Sequence, residues 1–250
     1  MTFRIALFAA WLATLQFDVV SVKPAPPPEA GMPVRPISVK GGPGTDSPTR
    51  FTARAYPLRS VVLQAFDIQS YQLVGPSMME PFDIDAVMPE GTPKDQFREM
   101  LRNLLAERFA FQAHRETKEE QIYRLEAGKG RPKLTENTEP IQPDTPHMVV
   151  PQFLPPNGIR VRLRQCSMAF FANFLSNHLG RRVEDHTVLT GAYDFTLEFR
   201  LSTQAGSTEP EALPDVMGAV GQQLGLKLVP DKGPVEMLIV DHVETTPKAN

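Results

Sequence analysis

The sequence predicts an α+β fold made of two tandem copies of one module with small mixed sheets. Each half shows the order strand, helix, strand, strand, helix, strand, strand in its hydrophobic periodicity. Short segments also fall at equivalent places of the two halves: PFDIDA and AYDFTL, RFAFQA and LGLKLV, QIYRLE and EMLIVD. A hydrophobic content of 41% is sufficient for a packed core. We therefore expect an internal duplication.

The composition limits the classes of function. A chain of 250 residues is long enough for one large domain or two small ones. Its formal net charge of -3 provides no excess of basic residues for binding nucleic acid. Cys166 is the single cysteine, so the chain forms no internal disulfide and no multi-cysteine zinc site.

Residues 1–16 are predicted to be a signal peptide. Arg4 precedes an apolar run from Ile5 to Leu15, which has the length of a signal-peptide core and is too short to cross a bilayer. A buried first helix of the fold is the alternative. Export predicts a mature chain that begins near Phe17, lies in the periplasm or is secreted, and has no transmembrane segment.

Residues 17–50 are predicted to form a strand and then a Pro- and Gly-rich arm. FDVVSVKP alternates apolar and polar residues as a strand does. The triplet Pro26–Pro28 favours polyproline II, and the glycines after Lys40 favour turns. A surface arm is expected, with a proline-rich ligand segment for another domain as the alternative.

The first copy is assigned to residues 51–128. The strand RFTARAYP leads into a helix, and the strands YQLVG and FDIDAVMP flank the turn GPSMMEP. In that turn, Met78 and Met79 are predicted to be exposed and to offer adaptable binding contacts. Pro93 precedes an amphipathic helix, and FAFQAH and QIYRLEA are expected to form a hairpin around RETKEE.

A linker over residues 129–157 separates the copies. The second copy is assigned to residues 158–245, with a tail over 246–250. Its predicted elements are the strand IRVRLRQ, a helix, the strands RRVED and AYDFTLEF, and a second helix that starts near Pro214. LGLKLV and VEMLIVDHV are expected to form a closing hairpin around PDKG.

The segment EDHTVLTGAYD concentrates polar residues and raises the question of a reactive site. Asp185 and His186 are adjacent, so on a strand they point to opposite faces. Asp194 occupies the same place in its copy as Asp83, which indicates a structural acid that fixes a turn. We interpret the segment as a shaped connection, and keep Asp185 and His186 as predicted binding residues.

No catalytic, metal or cofactor residue is predicted. The chain has no G-x-S-x-G motif, and Cys166 corresponds to Tyr56 of the first copy, which favours burial over nucleophilic catalysis. His114 with Glu116, and His242 with Glu244, have the spacing of two ligands on one face of a strand. Solvated charges at strand ends are the simpler interpretation of both pairs.

Several segments resemble a large, acidobacterial-type family of exported "soil-associated" proteins of unknown function, which occurs as many paralogues in certain soil bacteria. They are FDVVSVKP, MLRNLLAERFAFQAHRETKEEQIYRL, GRRVEDHTVLTGAYDFTLEF, QQLGLKL and IVDHVETTPKAN. The chain departs from the family where Arg182 replaces a usual Pro, where HTVLTG replaces a Thr-Gly-Leu-Thr-Gly turn, and where Met78 and Met79 replace a turn with a usual Trp. The resemblance implies no activity and no catalytic residue. Because some members occur beside membrane metallopeptidase-type sensor proteins, it implies a link to signalling.

The order of elements in each copy also resembles the short N-terminal signalling domain of secretins and TonB-dependent receptors. This resemblance rests on topology and implies a protein-docking module. We expect an exported, non-enzymatic binding module of the cell envelope whose partner is an envelope protein or peptide. An envelope hydrolase with a site in the cleft between the repeats, and a structural envelope protein, are the alternatives.

Overall fold

The computed structural model describes residues 15–28, 35–130, 132–139, 148–155, 157–201 and 213–248. Residues 1–14 of the predicted signal peptide, and parts of the predicted arm and linker, lie outside the described residues. None of the described helices is long and apolar enough to cross a membrane.

The described residues confirm a mixed α+β fold with four α-helices and several small sheets. The helices are α1 (Leu58–Phe66), α2 (Lys94–Phe109), α3 (Met168–Leu179) and α4 (Val216–Leu224), and a short 3-10 turn, η1, covers Ser70–Gln72. The strands are β1 (Val19–Pro24), β2 (Ser38–Gly41), β3 (Arg50–Pro57), β4 (Leu73–Val74), β5 (Pro81–Val87), β6 (Gln112–Ala127), β7 (Thr135–Glu136), β8 (Met148–Leu154), β9 (Gly158–Cys166), β10 (Val183–Asp185), β11 (Tyr193–Arg200) and β12 (Leu226–His242).

The chain divides into two compact units. The first comprises Met1–Ile68, Leu73–Arg115 and Leu238–Asn250, and the second comprises Gln69–Gln72 and Glu116–Met237. The limits of the predicted copies therefore do not coincide with the limits of the compact units. The last strand of each half, β6 or β12, begins in one unit and ends in the other.

The first unit is built on the sheet β1-β5-β3-β2. Alternate residues of β3 and β5 are buried, because a strand directs successive side chains to opposite faces. Helix α2 contributes the predicted apolar stripe, and every member of it is buried: Phe97, Met100, Leu101, Leu104 and Leu105. The ring of Phe97 meets Phe51 of β3 edge-on with centroids 5.2 Å apart.

The second unit is built on the sheet β7-β11-β9-β8, which repeats the strand order of the first. Helix α3 packs Phe171 edge-on against Phe195 of β11, with centroids 5.0 Å apart. The predicted linker contains β7 and β8, which pair with β11 and β9 as β1 and β2 pair with β5 and β3. The two halves thus share the order of their elements and the order of strands in their sheets. Both orders are compatible with a duplication.

Two predicted hairpins are wrong, because β6 and β12 are each one long strand. The RETKEE segment contains no Gly, Pro or Asn to reverse the chain, and its side chains are mostly exposed along β6. In β12 the PDKG segment shifts the alternation of buried side chains by one position: Leu226 and Leu228 are buried before it, and Gly233, Val235 and Met237 after it. The turn residues produce a bulge-like irregularity there and do not produce a reversal.

A third sheet has the order β10-β6-β12-β4. Its β10–β6 pairing is parallel and lies in the second unit, with Val183 opposite Tyr123. Its β12–β4 pairing is also parallel and lies in the first unit, with Leu238 opposite Leu73. The predicted strand YQLVG is thus reduced to β4, preceded by the turn η1.

An aspartate fixes an irregularity at the same place in the first two sheets. Strand β3 shifts register where Ala55 has a φ of 48°, and the Ala55 N–H donates to Asp83 Oδ1 at 2.9 Å. In the other sheet Gln165 has a φ of 46°, and its N–H donates to Asp194 Oδ1 at 2.8 Å. Left-handed backbone is costly for residues other than glycine, so each carboxylate stabilises a conformation that the chain alone disfavours. The predicted structural role of these two acids is consistent with this geometry.

Replacing Asp194 by Ala is expected to destabilise the protein by about 1–3 kcal/mol, because a strained N–H loses its charged acceptor. Asp194→Asn retains an acceptor oxygen and is expected to cost less. Urea denaturation of both variants measures the difference, with Thr196→Ala, at an exposed site on the same strand, as the control. Equal stability of Asp194→Ala and the wild-type protein would contradict the structural role.

Candidate functional site

The second unit contains an open polar cleft of about 560 Å³. Four elements of that unit surround it: η1, α3, β10 with its flanking residues, and the middle of β12. Its lining consists mainly of polar and charged side chains, together with small apolar ones: Tyr71, Gln72, Ala169, Ala172, Asn173, Arg182, Val183, Glu184, Asp185, His186, Val235 and Glu236. The predicted binding residues Asp185 and His186 are both among them.

Local interactions fix the walls of the cleft. Ser167 caps α3 by accepting the N–H of Phe170 at 3.2 Å. At the other end of α3, the buried Ser176 hydroxyl accepts the Val183 N–H at 2.9 Å and donates to the Ala172 carbonyl at 2.8 Å. Ser176 therefore anchors the start of β10 to the helix, and its hydroxyl is occupied by structural hydrogen bonds.

Arg182 is the central cation of the cleft. Its Nη1 donates to the Pro234 carbonyl at 2.8 Å, and its Nη2 lies 2.9 Å from Glu184 Oε1. The other oxygen of Glu184 lies 3.4 Å from His186 Nε2. Because these side chains are about one third to one half exposed, the three form a solvated network of both charges and not a buried ion pair.

Tyr71 and Gln72 of η1 form another part of the lining. Burial raises the pKa of Tyr71, and the positive charge of Arg182 and a hydrogen bond with Ser176 oppose this rise in part. The phenol is therefore neutral near pH 7 and keeps a proton to donate. Gln72 Nε2 donates to the Glu236 carbonyl at 3.0 Å, which ties η1 to β12 within this unit.

Asp185 shapes the connection that follows β10. Its Oδ1 accepts both the Thr187 N–H at 2.9 Å and the Thr187 hydroxyl at 2.7 Å. Thr187 is only 1% exposed, and its Oγ1 accepts the Leu189 N–H at 3.2 Å. This chain of bonds is an Asx-type turn, in agreement with the interpretation of the segment as a shaped connection.

The methionines of the GPSMMEP turn differ in exposure. Met78 is fully buried in the core of the first unit, whereas Met79 is 60% exposed. The prediction that Met78 is exposed is therefore wrong: its backbone carbonyl accepts the Arg59 N–H at 2.8 Å, which turns this residue inwards. Only Met79 retains a surface position for the predicted contact.

Cys166 is fully buried at the end of β9, as its correspondence to Tyr56 predicts. Burial raises the pKa of its thiol to about 12. A thiol with this pKa holds its proton at neutral pH and is not a nucleophile. Its Sγ donates to the Ser167 carbonyl at 3.3 Å, so its environment is that of a core residue.

The two histidine–glutamate pairs behave differently: His114 and Glu116 bind separate partners, and His242 lies next to its own Glu244. His114 Nδ1 lies 2.9 Å from Asp241, while Glu116 lies 3.2 Å from Lys118 Nζ. His242 and Glu244 are 3.9 Å apart and about half exposed. Among the residues that the structure describes, no three His, Cys, Asp or Glu side chains converge on a point where a metal ion would sit.

The cleft can therefore form hydrogen bonds and ion pairs with a ligand, and its lining includes no Ser, Thr or Cys from the part of the chain that the structure describes. Sequence reasoning missed Tyr71, Asn173 and Glu236 because they come from segments far apart along the chain. Arg182 carried a weak signal, since it stands where the resembling family has Pro. Together, fold and cleft define a class: an α+β protein of small sheets with an open polar cleft.

Residues 59–243 match the family described as "Protein of unknown function (DUF3738)". This match covers more than half of the chain, so the chain belongs to that family. Neither the comparison with curated proteins nor the comparison with solved structures gave a match.

The turn that borders the cleft contains a strained valine. Val188 has a φ of 55° and is 92% exposed, and a β-branched residue in left-handed backbone is an outlier. It stands where the resembling family has the first Gly of its Thr-Gly-Leu-Thr-Gly turn. Because the Val188 side chain is almost fully exposed, it makes few contacts that could compensate for the cost of its left-handed backbone.

Val188→Gly is expected to raise stability by up to about 1 kcal/mol, because relief of left-handed strain exceeds the entropy that glycine adds to the unfolded chain. Thr190→Gly is the matched control in the same turn: its φ is not positive, so it is expected to lower stability. Thermal denaturation of both variants tests this. A loss of stability in Val188→Gly would show that the valine side chain contributes favourable contacts.

Proposed function

We propose that this chain is an exported, non-enzymatic binding module of the cell envelope that engages an envelope protein or peptide, in a role associated with signalling. The observation that carries the proposal is the cleft of the second unit. It is large enough for several side chains of a partner, and its polar groups come from four separate elements. Membership in a family of unknown function is compatible with this role and adds no activity to it.

The charge of the cleft favours a partner segment with a positive charge. Arg182 contributes one positive charge, and Glu184, Asp185 and Glu236 contribute three negative charges, so acidic side chains outnumber the arginine in the lining. Asn173 on the exposed side of α3 supplies both an amide donor and an acceptor. Such a mixture suits a polypeptide with a lysine or arginine side chain.

The hydrolase alternative needs a nucleophile or an activated water next to a positioned base. Ser176 and Thr187 lie near the cleft, but their hydroxyls take part in structural hydrogen bonds. Cys166 is buried and protonated. His186 is bonded to Glu184 on an exposed surface, which supports binding more than proton transfer to a substrate.

Export is tested by the processing of the full chain. When residues 1–250 are expressed in a bacterium with two membranes, we expect a periplasmic product whose first residue is close to Phe17, because the apolar run ends at Leu15. Mass spectrometry of the intact product determines the cleavage position. An untrimmed product in the cytoplasm would overturn the export proposal.

Binding at the cleft is tested by photo-crosslinking in cells that produce the chain naturally. A photoreactive amino acid at position 173, in the cleft, is expected to form an adduct with one partner. At position 177, an exposed asparagine one helical turn further along α3 and outside the cleft, no such adduct is expected. Equal adducts at both positions, or none at position 173, would contradict a binding role for the cleft.

The same cells provide the test of the enzyme alternative. If His186→Ala abolishes a measurable turnover of an envelope substrate while its thermal denaturation is unchanged, catalysis replaces binding as the function of the cleft.

A further inference from the structure

Among the described residues, strand β2 forms one edge of the first unit's sheet, and the apolar side chains of Val39 and of Ile37 just before it are only partly covered. Val39 lies opposite Ala53 of β3, which is fully buried, so Val39 points towards the core side of the sheet. Ile37, two residues earlier, is expected to point the same way. Yet Val39 is 43% exposed and Ile37 is 58% exposed. The apolar side of the sheet therefore continues past the covered core to this edge.

The register shows which backbone groups of β2 face outwards. Gly42 N–H donates to the Arg50 carbonyl at 2.9 Å, and Gly41 lies opposite Phe51. In an antiparallel ladder this geometry makes Gly41–Phe51 a non-hydrogen-bonded pair and the next pair, Lys40–Thr52, a hydrogen-bonded one. Alternation then directs the N–H and C=O groups of Val39 away from β3. The residue with the exposed apolar side chain also presents the outward backbone donor and acceptor.

We propose that β2 is a docking edge at which an extended segment of another protein is added as a further strand of the sheet. An outward row of backbone donors and acceptors is satisfied by the backbone of an extended polypeptide. The partner segment carries apolar side chains at alternate positions, which pack beside Ile37 and Val39. This inference does not depend on the function of the cleft in the second unit.

The charges at the edge specify the other face of the partner strand. Lys40 is exposed on the face opposite Val39, and Ser38 on that same face lies opposite Arg54. Arg54 is bound to Asp85 at 2.8 Å, whereas Lys40 places an exposed positive charge at the margin of the sheet. An acidic side chain on the outer face of the added strand therefore complements the edge.

The second unit repeats this arrangement. Strand β8 is the corresponding edge of its sheet, and Phe153 lies opposite Ile159 of β9. Ile159 is buried and Phe153 is 75% exposed, so here too an apolar side chain on the core side is uncovered at the edge. An exposed apolar residue at one edge is unremarkable on its own, but the corresponding edge strands β2 and β8 each leave an apolar side chain exposed on the core side of the sheet, which supports a common use.

The edge is also limited in a way that suits one defined partner strand. Strand β2 has four residues and ends at Gly41; Gly41 and the next residue, Gly42, have φ values of 76° and 99°, which bend the backbone out of the ladder. Short edges that carry a lysine resist unlimited edge-to-edge association. A single added segment can pair with such an edge, whereas a growing stack of strands cannot.

The test uses short synthetic peptides of alternating valine and threonine with one central glutamate and a fluorescent label. One version carries N-methyl groups on the residues whose N–H groups would face β2, and the control version carries them on the intervening residues. Fluorescence anisotropy with the full mature protein is expected to show at least about tenfold weaker binding of the first version than of the control. This comparison needs no protein variant and separates backbone pairing from apolar adhesion.

The protein side of the interface is tested at Val39. Val39→Pro removes the outward N–H and leaves the ladder with β3 intact, because edge strands tolerate proline at such positions. It is expected to weaken binding of the unmethylated peptide at least about tenfold, whereas Val39→Thr, which keeps the N–H and the branched shape, retains binding. Circular dichroism shows whether each variant is folded.

Three outcomes would overturn the proposal. They are the absence of binding of the unmethylated peptide, equal binding of the two methylated peptides, and a wild-type dimer in sedimentation that Val39→Pro converts to a monomer. The last would assign the edge to a second copy of this chain. Because the probe peptide has no positive charge, its binding does not report on the cleft, and failure of either proposal leaves the other testable.

Discussion

The sheets of this protein depend on a carboxylate that holds a neighbouring strand out of regular register. Asp83 and Asp194 each sit on a strand that follows the bulge in the chain, and each accepts the N–H of a residue with left-handed backbone. The second oxygen of Asp83 lies 3.5 Å from the Arg35 guanidinium, and the second oxygen of Asp194 accepts the Asn137 amide N–H at 2.9 Å. Each aspartate side chain thus links its own strand to the bulged strand and to a third segment of the same unit. The bulge ends one strand and begins the helix that covers the sheet, so this contact determines where α1 and α3 start.

The distance along the chain between interacting residues explains which parts of the fold could be predicted. Buried alternation in β3, β5, β9 and β11, and the apolar stripe of α2, depend on neighbours along the chain, and the sequence pattern located them well. The recurrence of Asp83 as Asp194 also indicated a structural acid correctly. The long strands β6 and β12 were misjudged, because whether a charged or proline-containing segment reverses or continues depends on the strand that pairs with it. That pairing joins residues from the two halves of the sequence, and no local pattern reports it.

The candidate site was predictable to a smaller degree. Asp185 and His186 were found because they are adjacent in a conspicuous polar segment, and the structure places them at a cleft together with Arg182 and Glu184. Tyr71 and Glu236 were not found, since a single polar residue in a short turn or on a strand carries no signal of its own. Met78 shows the opposite error: a turn-like sequence suggested exposure, but a hydrogen bond of the backbone to Arg59 turns the residue towards the core. The site residues that are adjacent along the chain were predicted, whereas those whose contacts come from distant segments were not.

The exchange of strand ends between the two units has a consequence for how such a chain could have arisen. Each unit is completed by a segment from the other half of the sequence: the end of β12 pairs with β4 in the first, and the end of β6 pairs with β10 in the second. An isolated half would keep its own sheet and helices but would lack the strand that pairs with its β4 or β10. Two identical halves, however, could supply that strand to each other, as a domain-swapped homodimer does. A duplication that fused two such subunits would convert a concentration-dependent association into an intramolecular one. After fusion the two halves would be free to diverge in sequence.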